Sequence, residues 1–342
     1  MGVVTVIFFL FTILPGDPAK MMLGQNQTAE QVEAVKHKYG FDKPLGTQYL
    51  YYLNDLSPIS FHSKNQEDYT FLSENKYTAQ QLFSIANTDI VIKTPYLRES
   101  FTKQGKKVTA VIGETIPNTF VLAVSAIIIA ISLGIVFGII SALYKDTWVD
   151  KTIQVLSTFG MSVPSFFSAI LFAWLFGFVL HKYTNLEMTG SLYELDDFGE
   201  QMQIKCKNLI LPAIVLGIRP LAVVIQLMRN SLLEVLNQDY IRTARAKGLS
   251  EFQVIKNHAV KNALNPVVTA ISGWFASMLA GAVFVEYIFG WNGLGKEIVN
   301  ALNTLDLPVI MGAVLVIAIV FITINILVDI AYAWLDPRVK LS

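Results

Sequence analysis

The sequence is short of charge, of cysteine and of histidine, and each shortage narrows what the chain does. Asp, Glu, Lys and Arg make up only 15% of the 342 residues, against roughly 25% in an ordinary soluble domain. Hydrophobic residues reach 53% and the mean hydropathy is positive, the balance of a polytopic membrane protein. Net charge is zero, which argues against a general nucleic-acid binder. Cys206 is the only cysteine, so there is no internal disulfide and no thiolate metal cluster; it reads as a small apolar filler or an incidental thiol. His37, His62, His181 and His258 are too scattered for a zinc site. No GxSxG elbow is present, and intramembrane acids are too few for a proton relay. No catalytic set, cofactor site or metal site is expected. Gly290–Lys296 does fit GxxxxGK, but Glu297 stands where a phosphate loop needs Ser or Thr. Its glycines read as a tight external turn ahead of a short helix.

What is present is a series of apolar stretches. Residues 1–14 are apolar and end at Pro15-Gly16-Asp17-Pro18. A helix of that length is roughly 21 Å long against a hydrocarbon core of about 30 Å, so a first span truncated at its start is expected. A signal peptide is the poorer reading, because there is no charged leader and no small-residue cleavage site. Residues 15–116 are polar and mixed, and read as an extracytoplasmic subdomain. Thr28 with Gln31 suits a capping box ahead of a helix that Gly40 stops. Residues 45–56 form a second amphipathic segment with a tyrosine stripe. Residues 57–110 show no sustained periodicity and predict short elements, with Tyr and Phe packing the subdomain rather than binding a ligand.

Residues 117–342 read as the transmembrane domain. Its spans are Pro117–Leu143, Thr152–Leu180, Leu209–Leu227, Pro266–Phe289 and Val309–Trp334. Pro117 suits a helix start. Gly134 and Gly138 make a GxxxG, a pattern common by chance in apolar helices. Pro164 predicts a kink or break in its span. The fold class is therefore an all-α polytopic membrane protein of six transmembrane helices, with a small external subdomain between spans one and two. Arg219 lies inside the fourth span, where it costs about 2.5–3.5 kcal/mol unless it faces protein or water. Two readings stay open: it lines a translocation path, or it pairs with a backbone carbonyl or carboxylate. Glu286 and Asp329 lie near span ends and are expected to be hydrated. The loops at 144–151 and 229–263 and the tail after Leu335 hold two, six and two Lys or Arg, against three at 181–208 and one at 290–308. The positive-inside rule puts the first set, and both termini, in the cytoplasm. The long segment 15–116 is exempt from that rule.

The stretch 234–266 is the basic exception in this apolar chain, with Arg242, Arg245, Lys247, Lys256, Lys261 and His258. Residues 234–247 predict a helix ended by Gly248. Ser250 starts another, with Gln253 at the capping-box position. Phe252, Ile255, Ala259 and Ala263 fall on one apolar stripe. On the residues alone, docking into a groove on a partner and lying among lipid headgroups both stay open.

Asp239–Leu249 (DYIRTARAKGL) and His258–Pro266 (HAVKNALNP) resemble the EAA loop of ABC importer permeases. Leu14–Pro18 (LPGDP), Ile210–Ala213 (ILPA), the GWNGLG turn after Glu286, and Val328-Asp329 through Leu335–Arg338 complete a pattern similar to the B-type permease of the dipeptide, oligopeptide and nickel family. The resemblance covers residues 1–60 and about 95–342; residues about 62–95 look like extra sequence, and Asn292 replaces a proline common in the family's external turn. Family chains usually begin with a further basic, apolar stretch, in keeping with the truncated first span. The resemblance implies a MetI-like subunit of a bacterial inner-membrane importer, itself without ATPase activity. Its implied partners are a second permease in a heterodimer, two cytoplasmic ATPases and an external binding protein, with di- or oligopeptides as cargo and nickel or another small solute as the alternative. It implies ATPase coupling through Tyr240, Arg242, Ala244, Arg245, Ala246, Lys247 and Gly248. From other classes, a stand-alone secondary transporter would work without nucleotide, and a membrane enzyme would need a polar catalytic set.

Overall fold

In the computed structural model the described residues are 2–12, 17–23, 27–73, 76–103, 105–196 and 199–335, without the side chains of 21, 272, 276, 279–281, 329 and 331–335. Leu14–Gly16 of the LPGDP string, the tail after Leu335 and the Asp329 side chain lie outside them. By contacts the chain divides into two units, residues 1–114 with 298–318, and residues 115–297 with 319–342.

Local chemistry sets the first unit's helices. These are α1 (Gly2–Thr12), α2 (Pro18–Leu23), α3 (Ala29–Tyr39) and α4 (Leu45–Leu56). Thr28 and Gln31 form the reciprocal capping box of α3, and Gly40 ends it at φ +70°. Ile7 and Phe8 of α1 bury against Tyr52 of α4 and against Met311 and Leu315. Strands β1 (Ile59–Ser63), β2 (Ala79–Ile85) and β3 (Thr88–Lys93) form an antiparallel sheet in the order β1-β3-β2. The chain is thus mostly helical rather than all-α: alternating residues at 59–63 and 88–93 pair across strands too short to show a sustained period.

The unit's interior is polar. Asp55 is buried, and its carboxylate accepts from the Tyr69 hydroxyl at 2.7 Å, the Tyr77 hydroxyl at 2.9 Å and Arg98 Nε at 3.0 Å. Lys76 Nζ stands 3.5 Å from the centre of the Tyr69 ring, and burial pushes its pKa down to about 8. These tyrosines pack the unit. Asp306 accepts from the amides of Phe101 and Thr102 at 3.1 and 3.2 Å, which ties the stretch 298–318 to residues distant in sequence.

Helix α5 (Val108–Leu143) starts earlier than Pro117, which lies inside it. A proline interrupts one backbone bond in a helix, a loss that membrane helices tolerate. Next come α6 (Trp148–Ser162) and α7 (Ser165–Phe172), bent by 109° at the break before Ser165. Pro164 therefore makes a sharp corner. The chain goes on through a π-helix (Ala173–Val179), α8 (His181–Thr184) and a two-stranded ribbon of β4 (Tyr193–Leu195) and β5 (Met202–Ile204).

Helix α9 (Lys207–Leu236) is the axis of the second unit and runs past Leu227, the expected end of its span. Cys206 just before it is exposed, so it is not an apolar filler. A Cβ on Gly134 would lie 2.5 Å from a Val224 methyl, and one on Gly138 2.6 Å from Met228 Cβ. The GxxxG of α5 is therefore in use, letting two backbones approach. After α9 come α10 (Asp239–Ala246), α11 (Glu251–Val254), a π-turn (Ile255–Ala259), α12 (Val260–Ala263), α13 (Asn265–Gly281), α14 (Val283–Phe289), α15 (Leu294–Asn303) and α16 (Leu307–Leu335).

Among the described residues three helices are long and apolar enough to cross a membrane, Val108–Leu143, Lys207–Leu236 and Leu307–Val328, or four if the bent pair is one span. Helix α1 has 11 residues and α13 has 17 before a break at Ala282. Glu286 is fully buried rather than hydrated. Its position near a span end hid this, because the turn that follows folds back over it.

Candidate functional site

The basic stretch is built on an apolar floor. Ile241 and Ala244 of α10 pack with Val254, Ala259, Ala263 and Val267 against Met228 and Leu232 of α9. The helix expected over residues 234–247 is two helices, because α9 continues to Leu236 and Asn237 ends it, its side-chain amide donating to the Leu233 carbonyl at 2.9 Å. The Ser250–Gln253 capping box is present. Of the expected apolar stripe, Ala259 and Ala263 are buried, but Val254 takes the place of Phe252. Val254 is fully buried while Phe252 is 72% exposed, because the π-turn over Ile255–Ala259 advances the pattern by a residue. Five residues, not four, separate the buried Val254 and Ala259.

Above this floor the surface is polar and cationic. Tyr240, Arg242, Arg245, Ala246, Lys247 and Gly248 are all exposed, whereas Ala244 points inward. Arg245 grips Glu251 bidentately at 2.8 and 3.2 Å, bracing α10 against α11. Tyr240 Oη accepts from Asn262 at 3.1 Å. Gly248 holds φ +82°, where a Cβ would meet nothing within 4 Å, so the backbone conformation alone calls for glycine. Leu249 and Phe252 lie exposed just beyond the turn. Beside this element Asp150 at the start of α6 accepts from Arg229 of α9 at 2.8 and 2.6 Å, and from Ser141. The Arg229 hydrogen bond holds the Asp150 carboxyl well below the usual carboxylate range.

The turn after α14 is closed instead. Gly290 ends the helix at φ +68°. Glu286 Oε2 accepts from the amides of Gly295 at 2.6 Å and Lys296 at 3.3 Å, and Lys296 Nζ folds back onto the Gly290 carbonyl at 2.9 Å. The amides that a phosphate loop would offer to nucleotide are thus occupied by the chain's own acid. The GxxxxGK string is a structural turn.

Arg219 sits roughly 18 Å along α9 from Lys207, near the middle of a helix about 45 Å long. It is exposed and has no hydrogen-bond or ion-pair partner among the described residues. It borders a small cavity of ≈80 Å³ at the α6–α7 corner, with Ser165, Ser168, Trp274 and Ser277. The alternative of a carbonyl or carboxylate partner within the chain finds no support among these residues.

The family model for the inner membrane component of binding-protein-dependent transport systems matches residues 134–341, and the model for the N-terminal part of such components matches residues 1–123. The chain belongs to this family. It is an ABC transporter permease, and three relatives align with it almost end to end. One, named as a peptide permease in Brucella suis, is 35% identical over 100% of this chain and 95% of its own length. The dipeptide permease DppB of Alkalihalophilus pseudofirmus is 32% identical over 99% and 95%. The di/tripeptide permease DppB of Pseudomonas aeruginosa is 33% identical over 99% and 94%. An inward-facing methionine ABC transporter, MetNI, gives a TM-score of 0.47 at 12% identity over 64% of this chain and 95% of its own, below the level at which a shared fold follows.

In this permease, sequence reasoning overlooked two groups of residues. Phe252 was placed on the inner stripe because the π-turn leaves no local signature, and nothing in the spacing marks Leu249 as exposed on the Gly248 turn. Ser165 comes beside Arg219 through the α6–α7 corner, and Trp274 comes from α13. Pro164 marked that corner without its angle.

Proposed function

We propose that the permease forms one half of the translocation path of an ATP-driven peptide importer, and that the exposed face over residues 239–252 receives the thrust of a cytoplasmic ATPase. In this reading the chain crosses the membrane six times with both termini in the cytoplasm, pairs with a second permease, and takes cargo from an external binding protein. Two ATPases hydrolyse ATP; the permease does not. Tyr240, Arg242, Arg245, Ala246, Lys247 and Gly248 meet the ATPase, while Ala244 anchors them to the floor. Arg219 lines the path. The single observation that supports the coupling role most is the pairing of an apolar floor, locked onto α9, with an open cationic surface carrying Leu249 and Phe252. Such an element passes force to the spans as a rigid body. Peptide cargo is favoured over nickel by the relatives' names, dipeptide and di/tripeptide permeases.

Gly248→Trp tests the coupling. Because a Cβ there meets no neighbour within 4 Å and the left-handed backbone costs a non-glycine residue only about 1–2 kcal/mol, the variant should fold, yet lose co-purification with the ATPase and peptide uptake in proteoliposomes of the full assembly. Retention of both would sink the coupling role.

A further inference from the structure

The cavity beside Arg219 has a consistent chemistry. No Asp or Glu lines it, and Arg219 brings a guanidinium with no counter-anion among the described residues. Such a charge at mid-depth is costly unless water or an anion meets it. Ser165 and Ser168 add hydroxyls. Ser165 also opens the eight-residue α7, where Pro164 provides no side-chain cap, and the first backbone bond from that helix start is Ser168 N to the Pro164 carbonyl at 3.1 Å. Donors converge and acceptors are scarce. Trp274 gives the cavity one flat wall. Its ≈80 Å³ holds a carboxylate and a water, given about 30 Å³ for a water in the liquid, but not a whole peptide.

We propose that this cavity is a carboxylate subsite on the translocation path, where Arg219 receives the C-terminal carboxylate of a passing peptide. A planar guanidinium takes a carboxylate bidentately, the Ser165 and Ser168 hydroxyls complete the shell, and the last side chain of the peptide lies on Trp274. The site is small and open, so it orients the cargo without trapping it. This rests on the peptide-import reading and names the group of the cargo that the path reads.

Site-directed labelling tests it. Ser165→Cys, placed in a Cys206→Ser background because Cys206 is exposed, is exposed to maleimide in the assembled permease pair with its ATPases and without binding protein. Millimolar Ala-Phe should slow the labelling about ten-fold, as a ligand at roughly ten times its Kd does, while Ala-Phe amide should not. Adding Arg219→Gln should abolish the shielding by the free acid; adding Arg219→Lys, which keeps the charge but not the fork, should keep only part of it. Equal shielding by acid and amide, no shielding by either, or shielding that survives Arg219→Gln overturns the subsite. Peptide uptake by the full assembly without acid-selective shielding sinks the subsite alone. Acid-selective shielding without peptide uptake supports the subsite as a carboxylate site and sinks the peptide-import reading.

Discussion

Two turns in the second unit rest on glycine for opposite reasons. At Gly248 the backbone is left-handed and the space around it is empty. At Gly293 and Gly295 the space is the constraint: a Cβ would lie 2.4 Å from the Glu286 carboxylate in the first and 2.5 Å from Val283 Cα in the second. The turn after α10 is open and offers its surface, whereas the turn after α14 is closed on a buried acid. The ion pairs repeat the contrast. Arg229–Asp150 is sheltered, with side chains 18% and 4% exposed, while Arg245–Glu251 stands in the open at 42% and 64%. The open turn keeps its conformational demands local; the closed one shares them among neighbours.

The largest expected effect follows from the sheltered pair. Asp150→Asn leaves Arg229 without its anion and should cost about 3 kcal/mol, read as a lower melting temperature of the purified protein. The pH dependence has a definite sign. Because Arg229 depresses the Asp150 pKa, the pair's contribution is fully present above about pH 4, where the unfolded carboxyl is ionised, and fades only as pH falls further. An Asn variant as acid-sensitive as the parent between pH 4 and pH 2 would break this account.

Next in size are the glycines. Gly295→Ala should destabilise by about 2–3 kcal/mol, since a helix backbone must move, and Gly248→Ala by about 1 kcal/mol from φ alone. Gly248→Asn should cost less still, because Asn tolerates the left-handed region. Similar losses for Gly295→Ala and Gly248→Ala would erase the distinction between closed and open turns. Smallest is Arg245–Glu251. A double-mutant cycle on thermal stability should return a coupling of about 0.2–1 kcal/mol, as exposed pairs do; a value near that of Asp150–Arg229 would contradict the exposed placement.

What the sequence made legible was chemistry confined to a few neighbours. The capping boxes at Thr28–Gln31 and Ser250–Gln253, the stop at Gly40 and the break at Pro164 each depend on residues within one turn, and each stands in the structure. Misread features depend on what arrives from elsewhere. The burial of Glu286 is set by the turn that folds back over it from Gly293 to Lys296. The start of α5 before Pro117 is set by packing partners far along the chain, with Gly312 against Val108 and Ile112. So is the attachment of residues 298–318 to the first unit through Asp306. Arg219 was visible as a cost; the cavity beside it is assembled from α6, α7, α9 and α13, and no spacing in the sequence records it.

The π-turn at Ile255–Ala259 has a consequence for how this element tolerates change. In a regular α-helix five residues rotate through about 500°, which would turn Ala259 some 140° away from Val254. The widened turn takes the same five residues through about 400°, the rotation of four in a regular helix, so both methyl-bearing faces meet the same floor. It works as a splice that absorbs one surplus residue without rotating what lies on either side. Removing a single residue there should shorten the element while leaving Phe252 outside and Ala263 inside, whereas the same deletion in α10 would swing every contact beyond it out of phase.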